Sequence, residues 1–469
     1  MTSATAAEMQ SSTGQAFGSP GYRNYVLLAL TFVYTMNFID RILIGVVAQP
    51  IIEEFKLADW QFGLLTGFGF ALTYAIAGVA IARYAERANR VKIIAVSIII
   101  WSIMTALCGV AGSFITLFIF RFGVGIGEAG CTPPANSIIA DYFPPRSRAR
   151  ALAVYSMGVT LGSVLANVFG GPIAQAFSWR EAFWVLGIPG VIVGAIIYFS
   201  IQEPPRGYSD PVGTPRVAAA GMGDTLKALA GKRTYWLNVI AATLIAFVGY
   251  GISNFQGPFF QRVHGLSVGE VALQVSVPLS LAAAAGTLFL GFLVERISHK
   301  YPSSIAWLTG CFLLAAVPLY WIGFSSNNLA TARIFIGVAA FLHYGYLGAQ
   351  YTICQGVVDA RSRATAIAIM LLIINIFGYG LGPLTIGYLS DVFAGQHLAG
   401  SGIALGLCKG TEAALLQTLG AAKLAICHEA TAQGLRAAIK AVTLVFVAGG
   451  IFYLWTSRTM DKDMVARMN

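Results

Sequence analysis

Twelve apolar stretches of membrane-spanning length follow one another along the 469-residue chain, at roughly 24–49, 60–84, 91–111, 114–142, 147–177, 180–200, 235–262, 268–297, 302–324, 328–357, 362–392 and 433–457. About 20 such residues suffice to cross the hydrocarbon core as a helix. In lipid a helix satisfies its own backbone hydrogen bonds without water, so the expected fold class is an all-α membrane protein. The charge content agrees, at 11% against about a quarter in a soluble domain. Most of the surface must therefore face lipid, and a soluble enzyme is excluded. Residues 1–20 carry a single charge, Glu8, and lack the basic start of a cleaved signal, so the first apolar stretch reads as a retained helix.

An even number of spans places both termini on one side. With that side taken as cytoplasmic, the inner segments hold twenty of the 30 Lys and Arg, and the outer segments hold seven. This is the bias of the positive-inside rule. The net charge of +10 thus reads as topology and not as a nucleic-acid surface. The expectation is a multi-pass protein of the cell (inner) membrane with both termini cytoplasmic.

The polar, proline-containing stretch 201–233 separates two sets of six spans. It divides the chain into an N-terminal six-helix bundle (1–200), a cytoplasmic linker (201–233) and a C-terminal six-helix bundle (234–469). The other long connection is an outward loop, 391–432, which carries Cys408 and Cys427. In a compartment that permits disulfides these two either pair, stapling a short helical excursion, or remain free thiols. The other four cysteines lie in apolar runs as packing residues, and no cysteine spacing suggests a metal.

Three features recur at a nearly constant offset. Glu86-Arg87 answers to Glu295-Arg296, Arg121 with Gly125 answers to Arg333 with Gly337, and Arg146-Ser147-Arg148-Ala149 answers to Arg361-Ser362-Arg363-Ala364, at offsets of 209, 212 and 215. Two parallel six-helix repeats in register resemble the architecture of the major facilitator superfamily. The segment from Gly291 through Glu295 and Arg296 to Lys300 resembles that superfamily's loop signature, with Glu for Asp and Ser for the second Gly. The first copy, Ala82 to Lys92, lacks both glycines. The resemblance implies that Glu86 and Arg87 bridge to Arg146, Arg148 and Glu203, with Glu295, Arg296 and Arg361 as the second-half counterparts. Such a cluster would lock the bundles when the protein is open outward.

Within the superfamily the chain is most similar to the Spinster-type lipid transporters. The residues that carry this are Asn37-Phe-Ile-Asp40-Arg41, Arg121-x3-Gly125-Ile-Gly127-Glu128-Ala129, Ser137-Ile-Ile-Ala-Asp141-Tyr-Phe and Glu203-Pro-Pro-Arg-Gly207. An Asn-x-x-Asp-Arg first helix is also found in organic anion symporters of the superfamily.

A charge at the bilayer centre costs about 2.5–3.5 kcal/mol on insertion scales, so Asp40, Arg41, Arg121 and Glu128 must pair or face water. Arg121, Gly125 and Glu128 share one helix face, and Asn37 lies within a turn of Asp40 and Arg41. These two faces are expected to meet. Arg41 is the candidate for an anionic head group, since guanidinium binds phosphate or carboxylate through two parallel hydrogen bonds. Asn37 and Arg121 are further substrate-binding candidates. Glu128, and secondarily Asp40, are candidate proton carriers, because burial favours the protonated form and a nearby cation the ionised one. The plain alternative is a fixed ion-pair network between the first and fourth helices.

Gly125-x-Gly127-x-x-Gly130 matches a dinucleotide fingerprint only in letters, since that motif needs a preceding strand. Here the small residues serve helix packing. In the second half Tyr250, Asn254 and His343 are candidate substrate contacts; the aromatics around them equally suit packing. A wall with charges opposite a wall of aromatics suits an amphiphile. The expected function is therefore secondary transport of a lysophospholipid or sphingolipid-like amphiphile by alternating access, with a proton as the coupling ion. The alternative is a proton-coupled symporter of small organic anions. No other cofactor and no metal is expected, and the partners are the substrate and membrane lipids. The expected unit is a monomer. The chain contains no Walker-type phosphate loop and no H-E-x-x-H, so neither ATP drive nor an enzyme is expected.

Overall fold

The computed structural model describes residues 16–209, 222–298, 300–359 and 362–464. Among them there are helices and no strand. Twelve are long and apolar enough to cross a membrane: α1 Pro20–Val46, α2 Asp59–Ala85, α3 Arg90–Cys108, α4 Phe114–Tyr142, α5 Pro145–Ala176, α6 Trp179–Ser200, α7 Arg233–His264, α8 Val268–Ser298, α9 Ser304–Ser325, α10 Leu329–Gly356, α11 Thr365–Leu398 and α12 Glu412–Asp463. The labels inner and outer below follow the orientation that the charge distribution predicts.

The duplication is visible in local structure. The α4 and α10 helices both open on a polar cap, where Ser113 Oγ accepts the Thr116 N–H at 3.2 Å and Asn328 Oδ1 accepts that of Thr331 at 3.0 Å. Both are broken at the same place. One consists of Phe114–Ala129 and Thr132–Tyr142, the other of Leu329–His343 and Tyr346–Gly356. Gly130 with Pro133-Pro134 explains the first break, since proline has no N–H to continue the ladder. The breaks leave Glu128 in the last turn of one leading piece and His343 at the end of the other. The second and fifth helices of each half, α2, α5, α8 and α11, each contain a π-helical turn, at Leu64–Phe68, Ala166–Gly170, Ala272–Ser276 and Ile374–Gly380.

The described residues fall into two compact units whose border differs from the one expected. Residues up to Leu43 and from Thr73 to Ser209 form the first, whereas Ile44–Leu72 joins the residues from Met222 onward in the second. The outer ends of α1 and α2 therefore belong with the second half of the sequence. The cause is close packing against α11. A Cβ at Gly63, Gly67 or Gly387 would collide with backbone at Pro383, Gly380 or Asp59 respectively. Only glycine permits that approach.

The linker also differs from a free connection. Residues 201–209 are bound to the first unit, Met222–Ala230 is a short helix, and Arg233 already begins α7; the rest of 201–233 lies outside the described residues. The outward loop is partly helical. Its second part, from Glu412, is already the start of α12, which bends at Gly420, where φ is 76°. Glycine adopts that left-handed conformation at little cost.

Candidate functional site

In the first unit, α1 and α4 bring together the charges expected to meet. Arg41 Nε donates to Glu128 Oε2 at 2.5 Å, and Glu128 is fully buried while the Arg41 side chain keeps 17% of its exposure. The guanidinium carbon lies 4.5 Å from the centre of the Tyr74 ring on α2 and 5.3 Å from that of Phe38. A cation is stabilised over such faces. Arg121, on the face of α4 that carries Glu128, is 1% exposed and donates Nη1 to the backbone carbonyl of Asp40 at 3.3 Å. Its charge acts on both Asp40 and Glu128. Two guanidinium groups and two carboxyl groups thus share one site, where mutual pairing offsets part of the insertion cost of each.

The cluster has hydrogen-bonding capacity to spare. Asn37 Nδ2 and Oδ1, Asp40 Oδ1, Trp101 Nε1, Thr105 Oγ1 and Glu128 Oε1 are buried without a hydrogen bond of good geometry, although Trp101 and Thr105 face Asp40 and Asn37 faces Glu128. Buried polar atoms nearly always have one, so this is a place suited to water or a polar group of a ligand. Trp101 and Thr105 of α3, which lie beside Asp40, carried no motif that would single them out. Tyr74 was equally invisible, since one tyrosine in an apolar run is ordinary.

In the second unit, His343 is 3% exposed and its Nδ1 is 3.2 Å from the Tyr320 hydroxyl. Its ring lies among Tyr344, Phe446 and Tyr346, with centroids at 4.5, 4.7 and 5.8 Å. A Cβ at Gly249 would come within 2.8 Å of it, so α7 passes close by. Tyr250 is 5.0 Å from Tyr379 of α11, ring to ring. Asn254 is buried and spends its amide on the Tyr250 carbonyl at 2.9 Å.

The residues expected to form a conformational lock are arranged differently from the implied pattern. Glu86, Arg87, Arg146, Glu295 and Arg296 are exposed. Arg361 lies outside the described residues. Arg148 donates to the carbonyls of Ala140 and Phe143 at 2.8 and 3.4 Å, across the connection from α4 to α5. Glu203 meets Arg90, not Glu86: Arg90 Nε donates to Glu203 Oε1 at 2.6 Å, and Nη1 reaches Asp141 Oδ2 at 2.5 Å and Ser137 Oγ at 2.7 Å. Its Nη2 caps the Pro204 carbonyl at 2.9 Å. Arg206 in turn donates to the carbonyls of Ala85 and Ala88 at 2.6 and 2.9 Å, where α2 ends. Arg90 is buried and the exposed charges around it are not, a distinction that residue spacing does not reveal.

A second polar cluster, unforeseen from sequence, lies at the outer end of the second unit. Both oxygens of Asp59 accept from Arg262 at 2.7 Å, and Oδ2 also accepts from Ser390 Oγ at 2.6 Å. Gln49 Oε1 takes the Arg262 Nε–H at 2.9 Å. Next to them Asp391 accepts the Trp60 N–H at 3.0 Å and lies 3.6 Å from Lys409 Nζ. A cavity of about 430 Å³ opens between these groups and residues 405–415. The two loop cysteines, Cys408 and Cys427, are joined as a disulfide.

Residues 30–383 match the profile of the Major Facilitator Superfamily. The chain is similar to an MFS-type efflux pump of Mycolicibacterium smegmatis, 30% identical over 362 residues that cover 77% of this chain and 83% of that protein. It is similar to Protein spinster of Drosophila melanogaster, 28% identical over 474 aligned positions that cover 94% of this chain and 77% of that one. Among solved structures it matches the crystal structure of a bacterial homologue of the human lysosomal transporter Spinster, in an inward-facing and unoccupied conformation. The identity there is 45%, the coverage 96% of this chain and 100% of the other, and the TM-score 0.88.

Proposed function

The chain belongs to the major facilitator superfamily as a multi-pass transporter of Spinster type, and on that premise we propose that it carries a lysophospholipid or sphingolipid-like amphiphile by alternating access, with a proton as the coupling ion. The observation that carries this reading is the Arg41–Glu128 pair, in which a fully buried carboxylate holds the guanidinium of a side chain that is 17% exposed. A phosphate or carboxylate on the substrate seeks that same guanidinium, since charge-assisted bidentate pairing is its strongest available bond. Protonating Glu128 ends its claim on Arg41. Proton and anionic substrate are then taken up together rather than in competition.

The aromatic surroundings of Tyr250 and His343 in the second unit support an apolar tail. The orphaned atoms around Asn37 and Asp40 support a polar head. The proposed setting is the cell membrane with both termini cytoplasmic, and the proposed working unit is a monomer.

Arg41 reads a small carboxylate as readily as a phosphate, which keeps a symporter of small organic anions as the second reading. Thermal stabilisation of the purified protein separates them. The panel consists of lysolipids, sphingoid bases and short organic anions at acidic and mildly alkaline pH, with Arg41→Ala in parallel. Stabilisation by lysolipids that disappears in Arg41→Ala is the expected result. Stabilisation by short carboxylates alone transfers the proposal to the second reading.

A further inference from the structure

We infer that residues 399–430 form a strap that fastens the outer ends of α1 and α2 to the second unit, and that the Cys408–Cys427 disulfide sets its grip. This goes beyond the proposed substrate and needs only that the protein opens alternately to either side. The strap has a small core of its own, in which Leu398, Ile403, Cys408, Cys427 and Ala430 are buried together. The disulfide closes that core across a separation of 19 residues.

Lys409 follows directly on Cys408, and its Nζ is 3.6 Å from one oxygen of Asp391. The other oxygen of Asp391 holds the Trp60 N–H in the first turn of α2. The preceding residue, Asp59, is the buried carboxylate held by Arg262 and Ser390. One residue past Lys409, Gly410 lies beside the Lys56 side chain. A continuous run of contacts therefore leads from the disulfide to the start of α2.

Opening the outer side requires Ile44–Leu72 to leave the second unit. That separates Asp59 from Arg262, Trp60 from Asp391, and Gly63 and Gly67 from α11. The strap adds to this resistance because the disulfide fixes where Lys409 stands. Without the covalent link Lys409 is held at Asp391 only by a partly exposed ion pair, whose side chains are 21% and 16% exposed, and such a pair is of modest strength. The polar cavity of about 430 Å³ under the strap gives water room to enter as the groups part.

The test follows entry of an impermeant methanethiosulfonate from the outer side of right-side-out vesicles. The reporter is Thr66→Cys, a near-isosteric change at a residue of α2 that is 1% exposed, in full-length protein whose Cys108, Cys131, Cys311 and Cys354 are replaced. Modification at position 66 is read by peptide mass. The strap is released in two ways. Cys408→Ser with Cys427→Ser removes the link genetically. Dithiothreitol removes it in protein already folded, where the disulfide gains two electrons and two protons and the reagent is oxidised to its cyclic disulfide.

Both treatments are expected to raise the rate at position 66 by about two- to fivefold, the scale of a partly exposed ion pair. Lys409→Ala should do the same, and Lys409→Ala with the disulfide removed should add little more, since the two act on one contact. Asp59→Asn, which cuts the main fastening, should exceed all of these. An unchanged rate after verified reduction, with Asp59→Asn still fast, overturns the strap. An unchanged rate in every variant overturns the fastening as well.

Discussion

Arg41→Ala takes away the guanidinium and leaves Glu128, which has no exposed surface, without its ion pair. Removing one partner of a buried pair costs about 3–5 kcal/mol, because the remaining charge stays desolvated. Arg121 also acts on Glu128, so the lower end, about 3 kcal/mol, is expected. Glu128→Gln is the gentler change. The stranded Arg41 keeps 17% of its side chain exposed and still lies over Tyr74 at 4.5 Å. The loss should be about 1–3 kcal/mol, that of a weakened polar contact.

The double variant strands neither charge and should be more stable than Arg41→Ala alone. Thermal unfolding of the four proteins in one detergent measures this order. Mild acid should rescue Arg41→Ala in particular, since a protonated carboxyl needs no counter-ion. An Arg41→Ala protein at least as stable as the double variant, or one indifferent to acid, refutes the reasoning.

Arg90→Ala breaks a buried cluster that joins Glu203, Asp141, Ser137 and the Pro204 carbonyl; a loss of about 3–5 kcal/mol should appear as a sharply reduced yield of folded protein, whereas Glu86→Ala, at an exposed site, should stay within about 0.5 kcal/mol of the parent. Gly67→Ala forces a Cβ into the Gly380 carbonyl and should speed labelling of Thr66→Cys from the outer side. His343→Phe keeps the ring among its aromatic neighbours but gives up the contact with Tyr320 at 3.2 Å; a substrate role predicts weakened stabilisation by lysolipid in a protein that melts normally, and a packing role predicts no change in binding.

The spans, their number and the duplication could all be read from the sequence, because lipid imposes one simple rule on backbone and composition. That the charged faces of α1 and α4 would meet was legible for a related reason. A charge inside a membrane helix must find a partner, and helical spacing restricted the choice to a few. At the two ends of the helices that rule lapses. Arg262 counted as one more outer charge and Asp59 as a residue before a span, and nothing in their spacing joins positions 203 residues apart. On the inner side the motif pointed to Glu86, while the structure uses Arg90, four residues on and buried. A loop rich in arginines offers several partners to each carboxylate, and packing decides among them. The unit border at Leu43 and Thr73 was hidden for the same reason. It follows from glycines that admit another backbone, and glycines in membrane helices are too common to single out.

The central claim is that a proton on Glu128 and an anion on Arg41 enter together. Proteoliposomes enclosing a pH-sensitive dye test it directly, with lysophospholipid supplied on one side and no imposed pH gradient. Lysolipid is predicted to drive proton movement in the same direction in the parent protein, and Glu128→Gln is predicted to abolish the proton signal while still binding lysolipid. Proton movement opposite to the lipid, or an undiminished signal in Glu128→Gln, contradicts the account.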